Sequence, residues 1–326
     1  MQTRSLTAGQ LRRELNSRAE AYARTHGLLH ELSPGPSPSV VFGVDDRGNH
    51  GNFHSASYAR IAGNPDWARR LAKPHTASRR SVARKDWRWM ELDSATSSDA
   101  LLMNIFCYPQ VFDSLSLSGP VAALLGVDRA AQPRFGACPG VPLAAPLKAR
   151  SKKSAPRDAF DRTEIDLVLS GPTTTLFIEA KLTEADFQTA APALLARYRD
   201  LETVFDAERL PRKVIAPPPL PENVDPDDPT VNLPARPARE RIAGYQLIRN
   251  VLAAYAADAS FCLLVDARRR DLIDGWYAVI SAVRSLSFAT RLRVLTWQDL
   301  AGAAPANLQG FLASKYGLAG WPPPGT

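Results

Sequence analysis

The chain has 326 residues and a mass of 35.5 kDa, is 45% hydrophobic and 22% charged, and so is neither wholly disordered, fibrous nor a coiled coil. Its length suits one enlarged domain or two ordinary ones. Forty Lys plus Arg against 33 Asp plus Glu leave a net charge of +7 and a pI near 9.5, which favours an anionic partner. Cys107, Cys138 and Cys262 stand far apart with no CxxC, which argues against a disulfide framework or a cysteine-based metal site and suits a reducing cytosol. The N-terminus, MQTRSLTAGQLRRELN, has no apolar core of a signal peptide, and no run of about 18 uncharged apolar residues occurs. The expected location is cytoplasmic, without membrane contact.

Taken in chain order, residues 1–95 read as a basic, largely helical N-terminal region. Between residues 60 and 88 lie nine basic side chains (Arg60, Arg69, Arg70, Lys73, Arg79, Arg80, Arg84, Lys85 and Arg88) against Asp66 and Asp86, an excess equal to that of the whole chain. Tyr58, Trp67, Trp87 and Trp89 lie in or beside it. Cations that attract phosphates and rings that stack on bases make this a nucleic-acid footprint, with Arg69, Arg70, Lys73, Arg79, Arg80 and Arg84 as its contacts. The competing reading is a solvated helix with its tryptophans in the core.

Residues 97–108 predict a helix with Ser97 as N-cap and Leu101, Leu102, Ile105 and Phe106 at helical spacing. Thr163 to Leu169 and Thr173 to Leu182 each alternate as strands, and the Ser170, Gly171, Pro172 turn joins them as a hairpin. Residues 184–206 and 239–257 read as helices. Between them, nine prolines from Pro211 to Pro237 exclude helix and central strand, and mark an insertion at about 211–238. Phe261 to Val265 suits a buried strand, followed by a helix around 271–285 and a strand at Leu292 to Thr296. The order predicts an α/β fold, with residues 96–326 as its core domain.

Alternation places Ile165, Leu167 and Leu169 on one face of the first strand and Glu164 and Asp166 on the other. In the second, Leu176, Ile178 and Ala180 share a face, so Glu179 and Lys181 point together to the opposite one. Paired in the obvious register, Asp166, Glu179 and Lys181 converge. Two carboxylates and an ammonium among apolar strands each cost several kcal/mol to bury unpaired. A divalent cation relieves that cost. Mg²⁺ takes a few carboxylate oxygens and keeps several waters, so it can hold a phosphate and an attacking water together, and the lysine can orient or deprotonate that water.

Asp166, twelve intervening residues and then Glu179-Ala180-Lys181, on adjacent strands preceded by a helix and followed by helix and strand, resembles the signature of the PD-(D/E)xK nuclease superfamily. The likeness spans roughly residues 97–297, and Ile165 stands where the motif's name has Pro. It implies a restriction-endonuclease-like core, a mixed central sheet flanked by helices, with the N-terminal region as a helical extension. It further implies Asp166 and Glu179 as Mg²⁺ ligands (Mn²⁺ substituting), the Ala180 carbonyl completing the site, and Lys181 positioning the water. Gln246, Arg249 and Asn250 on one polar helical face are similar to the Gln-bearing helix beside the site in several branches. The early helix's acid falls on Asp99, with Glu91 and Asp93 behind it, and Glu164 is either a further ligand or an ion-pair partner. Many relatives of this kind act as homodimers.

His50 and His54 in the glycine-rich GNHGNFH read as a surface loop pair rather than metal ligands, and His75 as a solvated residue of the basic segment. No GxSxG, GxxxxGK or strand-borne GxGxxG occurs, so serine hydrolase, P-loop and Rossmann readings lack support. The expectation is a Mg²⁺-dependent endodeoxyribonuclease whose basic arm grips DNA upstream of, and apart from, the core that cuts it. The alternative is a non-catalytic nucleic-acid-binding protein on the same fold.

Overall fold

The computed structural model describes residues 5–33, 37–74, 90–144, 159–216 and 238–319. His75, Arg79, Arg80, Arg84, Trp87, Trp89 and most of the proline-rich insertion lie outside them. In chain order the elements that frame the site are α1 (Ala8–His26), α2 (Ser55–Gly63), α3 (Ser98–Phe106), α4 (Gly119–Leu125), β1 (Gln132–Ala137), β2 (Ile165–Ser170), β3 (Thr175–Ala180), α5 (Tyr245–Ala256), β4 (Ser260–Val265), α6 (Arg270–Ile280), β5 (Leu292–Thr296), α7 (Trp297–Ala303) and α8 (Ala306–Tyr316).

Five strands form one mixed sheet in the order β5, β4, β3, β2, β1. β1 and β3 run antiparallel to β2, whereas β3, β4 and β5 are parallel. The β2–β3 hairpin pairs Ser170 with Thr175 and Leu167 with Ile178, the register expected from alternation. Parallel strands need crossovers, and α5 and α6 supply them. β1, missed from sequence because Pro133 interrupts its pattern, sits at the sheet edge, where a residue without an N–H is tolerated.

Side-chain alternation splits the core across the sheet. Leu167, Leu169, Leu176, Ile178, Cys262 and Leu264 pack on one face with α3, α4, α7 and α8. Val168, Phe177, Phe261, Leu263 and Val265 pack on the other with Leu247, Ile248, Val251 and Leu252 of α5 and with Trp276 of α6. The first of these clusters also contains Leu11 and Leu15 of α1, Ile61 of α2, Phe53, Trp67 and Leu92. Residues of the N-terminal 95 thus share a core with the sheet.

Ser97 caps α3, its hydroxyl accepting the Ala100 N–H, as its position suggested. Two helical expectations need correction. Residues 184–206 form the short strand Thr189–Ala190 and two single-turn helices, Pro192–Leu195 and Leu201–Val204. Pro192 starts a turn rather than continuing a helix, and Gln188 has φ of 63°. In 239–257, Arg239–Ala243 is a strand between Thr189–Ala190 and Arg212–Ile215 in a second small sheet, and the helix begins only at Tyr245. The three cysteines are free, as expected from their spacing.

Candidate active site

The hairpin opens at Asp166. Its last pair is Leu167 with Ile178, and the Ala180 N–H then donates to Asp166 Oδ2 at 2.8 Å. On the other side of β2, Phe135 pairs with Leu167 and Ala137 with Ile165, which leaves Gly136, at φ 62°, opposite Asp166. The side-chain alternation breaks at the same point: Ile165 packs with the α5-side cluster, whereas Leu167 and Leu169 pack on the opposite face. The expected common face for those three residues is therefore corrected. The local irregularity is what separates the Asp166 carboxylate from its own strand's ladder.

Glu179 is 1% exposed and every part of its carboxylate is held. Lys181 Nζ lies 2.7 Å from Oε1, Gln246 Nε2 donates to Oε1 at 2.6 Å, and Asn250 Nδ2 donates to Oε2 at 2.8 Å. Gln246 and Asn250 are one helical turn apart, so a single face of α5 carries both amides to the strand. Thr163 Oγ1 donates to Asn250 Oδ1 at 2.5 Å, which fixes the amide's orientation. Arg249, expected on the same face, turns away, stacking over Tyr245 at 5.2 Å and lying 3.8 Å from Asp161. Beyond Lys181 the chain is held by Trp297 Nε1 donating to the Lys181 carbonyl, and by the buried Arg269 guanidinium donating to the carbonyls of Leu182 and Ala185. Glu184 joins from this segment, accepting from the Leu182 N–H at 2.7 Å and from Ser98 Oγ at 3.0 Å. Nothing in the local sequence singled it out except its position three residues past Lys181.

Asp99, at the start of α3, is brought to the same centre. Arg70 Nη2 reaches Asp99 Oδ2 at 2.6 Å and Lys73 Nζ reaches it at 2.7 Å. The same two cations bind Glu164 Oε1, at 2.7 and 3.1 Å. Glu91 and Asp93 form the short 3₁₀ turn Glu91–Asp93, where Asp93 pairs with His50. The expectation of a basic arm set wholly apart from the catalytic core needs correction at Arg70 and Lys73, which lie at its edge; Arg69 is exposed beside Asp66.

Charge is densely coupled here. Burial pushes the Asp166 carboxyl well above its ordinary range, and Glu179 and Asp99 push it further, against the pull of Lys181 and the Ala180 N–H. Burial also raises Glu179, with Lys181 opposing. Desolvation alone would lower Lys181, yet Glu179, Glu184 and Asp166 hold it above its ordinary value, so it is an ammonium. At Arg70 and Lys73 the attraction of Asp99 and Glu164 likewise outweighs desolvation. Glu164 resists burial through its two cationic partners and is shifted down. Formally, five carboxylates (Asp99, Glu164, Asp166, Glu179, Glu184) face three cations (Arg70, Lys73, Lys181), a deficit of two positive charges.

Hard carboxylate oxygens with that deficit are the donor chemistry of a divalent cation. Asp166 Oδ1 accepts no hydrogen bond among the described residues. The described residues contain no ready-made group of three His, Cys, Asp or Glu ligands; Glu179 would have to exchange part of its amide and ammonium contacts for a metal.

The histidine pair read as surface is structural. His50 is 6% exposed, bonded to Asp93 at 3.0 Å and to the Asn52 N–H, while His54 caps α2 through the Ala56 N–H. Neither lies in the carboxylate centre.

The mixed sheet, the opened hairpin and the carboxylate-lysine centre together define an α/β protein of the restriction-endonuclease-like class. Residues 16–317 match the family model described as Restriction Endonuclease associating with ARP. The chain belongs to that family. No curated protein and no solved structure matches it.

Proposed function

We propose that this chain is a metal-dependent nuclease of the PD-(D/E)xK kind that hydrolyses phosphodiester bonds in DNA. The observation that carries the reading is the convergence of Asp166, Glu179 and Lys181 where the hairpin opens, with Lys181 Nζ 2.7 Å from Glu179. Asp166 through Oδ1 and Glu179 through one carboxylate oxygen would hold Mg²⁺, with the Ala180 carbonyl beside them. A bound Mg²⁺ supplies Lewis-acid polarisation of the phosphate. Lys181, as an ammonium, donates to a phosphate oxygen and offsets the charge that builds as the water oxygen bonds to phosphorus, the P–O ester bond breaks and the departing oxygen takes up, through solvent, the proton that the water gives up. Gln246 and Asn250 keep Glu179 aimed. The family description speaks of association with ARP, and the same association is proposed for this chain.

The test uses plasmid and labelled linear DNA with Mg²⁺, Mn²⁺ or EDTA. Wild type should cleave only with metal, Asp166→Ala and Lys181→Ala should lower turnover at least about a hundredfold while keeping the fold, and Glu179→Gln should lose the calorimetric signal of metal binding. Normal turnover in a folded Asp166→Ala protein would sink the proposal. DNA binding without cleavage by wild type in every metal would favour the non-catalytic reading.

A further inference from the structure

Arg70 and Lys73 precede the sheet's Glu164–Asp166 segment by more than ninety residues in the chain, yet both lie against its carboxylate centre: Arg70 bridges Asp99 and Glu164, and so does Lys73. Two features distinguish them from an ordinary surface ion pair. The first is a built slot. Gly136, at φ 62° opposite Asp166, lies beneath the Arg70 guanidinium, and a Cβ at that position would overlap Arg70 Nη1. The second is an unspent donor. Arg70 Nε is shielded from water and has no acceptor among the described residues, a costly arrangement unless something else meets it. Lys73 is only partly buried, with 26% side-chain exposure.

We propose that Arg70 and Lys73 form a cationic clamp that binds the DNA phosphate at or next to the scissile bond, with Asp99 and Glu164 holding the pair in place. This rests on the nuclease reading and deepens it: the two residues belong to the cleavage centre itself rather than to a remote binding arm. Arg70 offers a planar fork matched to two phosphate oxygens, and Lys73 a movable point charge beside it. The charge sum agrees. With Arg70, Lys73 and Lys181 counted, a divalent cation would bring the five carboxylates to neutrality; without Arg70 and Lys73 the loaded centre would stay negative and repel a phosphodiester.

The experiment compares full-length wild type with Arg70→Gln, Lys73→Gln and the double variant. Affinity for a short labelled duplex and a labelled single strand is measured in Ca²⁺ over a range of salt, and KM and kcat for duplex cleavage are measured in Mg²⁺. Each folded single variant should bind about tenfold more weakly, with the slope of log K against log salt reduced by about 1 per charge removed, and KM should rise. Wild-type affinity, slope and KM in folded variants would overturn the clamp while leaving the nuclease reading intact. A wild-type protein that neither binds nor cleaves DNA would overturn both. Should the variants fail to fold by circular dichroism, the wild type decides through the rate of Lys73 acylation, read by peptide mass spectrometry. The duplex should slow it severalfold, and an unchanged rate would overturn the proposal.

Discussion

Asp166 shows how much a single residue can be asked to do. Its carboxylate stands in for a backbone acceptor by taking the Ala180 N–H, and its other oxygen accepts no hydrogen bond among the described residues. The cost is electrostatic: burial, then Glu179 and Asp99, disfavour its charged form. For a carboxyl whose folded-state pKa lies above the unfolded one, the folded state binds the extra proton, so this group's contribution to stability is greatest at low pH and falls as pH rises from 3.8, the ordinary value, through the raised folded value. Asp166→Asn keeps an acceptor for Ala180 and removes the charge. In EDTA, the variant should melt above wild type at pH 8, by on the order of 1–2 kcal/mol or a few degrees, and the gap should close toward pH 3. Thermal melts across that range check it; a variant less stable than wild type at pH 8 would mean that the Asp166 charge is compensated in the free protein. The same substitution should abolish cleavage, so stability and activity move in opposite directions at this position.

At the scale of elements, the hairpin and its motif were legible because strand period is 2 and the polar residues fell where apolar ones belonged. The helix α5 was legible in type but not in start, because Arg239–Ala243 pairs as a strand with partners about 25 and 50 residues away, Arg212–Ile215 and Thr189–Ala190, and no local pattern records such pairing. Residues 184–206 failed for a related reason: their Ala and Leu content favours helix, but Phe187, Ala190, Leu195 and Tyr198 are spent in the core cluster on the α5 side of the sheet, and Pro192 cuts the run. Gly244 marks the join between strand and α5. It has φ of 76°, and a Cβ on it would lie 2.5 Å from Val279 Cγ2 of α6. Gly244→Ala should therefore cost about 1–3 kcal/mol through strain and overpacking. Because Gln246 and Asn250 start from this turn, it should also loosen Glu179. Urea melts should show a lower midpoint at unchanged slope, and metal affinity should fall in the same variant; a midpoint equal to wild type would show that α6 yields without cost.

For the molecule as a whole, sequence composition suggested a basic extension, 1–95, beside a core domain, 96–326, because the charge of residues 60–88 differs so sharply from that of the remaining chain. Composition sees charge and not packing partners. Within the described residues, Leu11, Leu15, Phe53, Ile61, Trp67 and Leu92 lie in the same cluster as Leu101, Leu167 and Ile178. The buried Lys315 of α8 donates to Gly51 O and Asn52 Oδ1 from a setting of aromatic rings, 4.3 Å from the centre of Phe42, and has no acidic partner among the described residues. Removing the first 95 residues would take away both acceptors and leave the Lys315 amine, whose charged form burial already disfavours, without the hydrogen bonds that hold it. Each of those six side chains contributes about 1.5–3 kcal/mol when fully buried, so their combined loss is comparable to the whole stability of a domain, about 5–15 kcal/mol. A fragment spanning 96–326 should therefore lack a cooperative melt and expose apolar surface that binds a hydrophobic dye, while retaining Asp166, Glu179 and Lys181 in sequence. Scanning calorimetry and near-ultraviolet circular dichroism check this, and a sharp, native-like transition in the fragment would establish 96–326 as an independent domain. If the fragment fails to fold, the carboxylate centre depends on its N-terminal residues twice over, for the core beneath the sheet and for the Arg70 and Lys73 contacts at its rim.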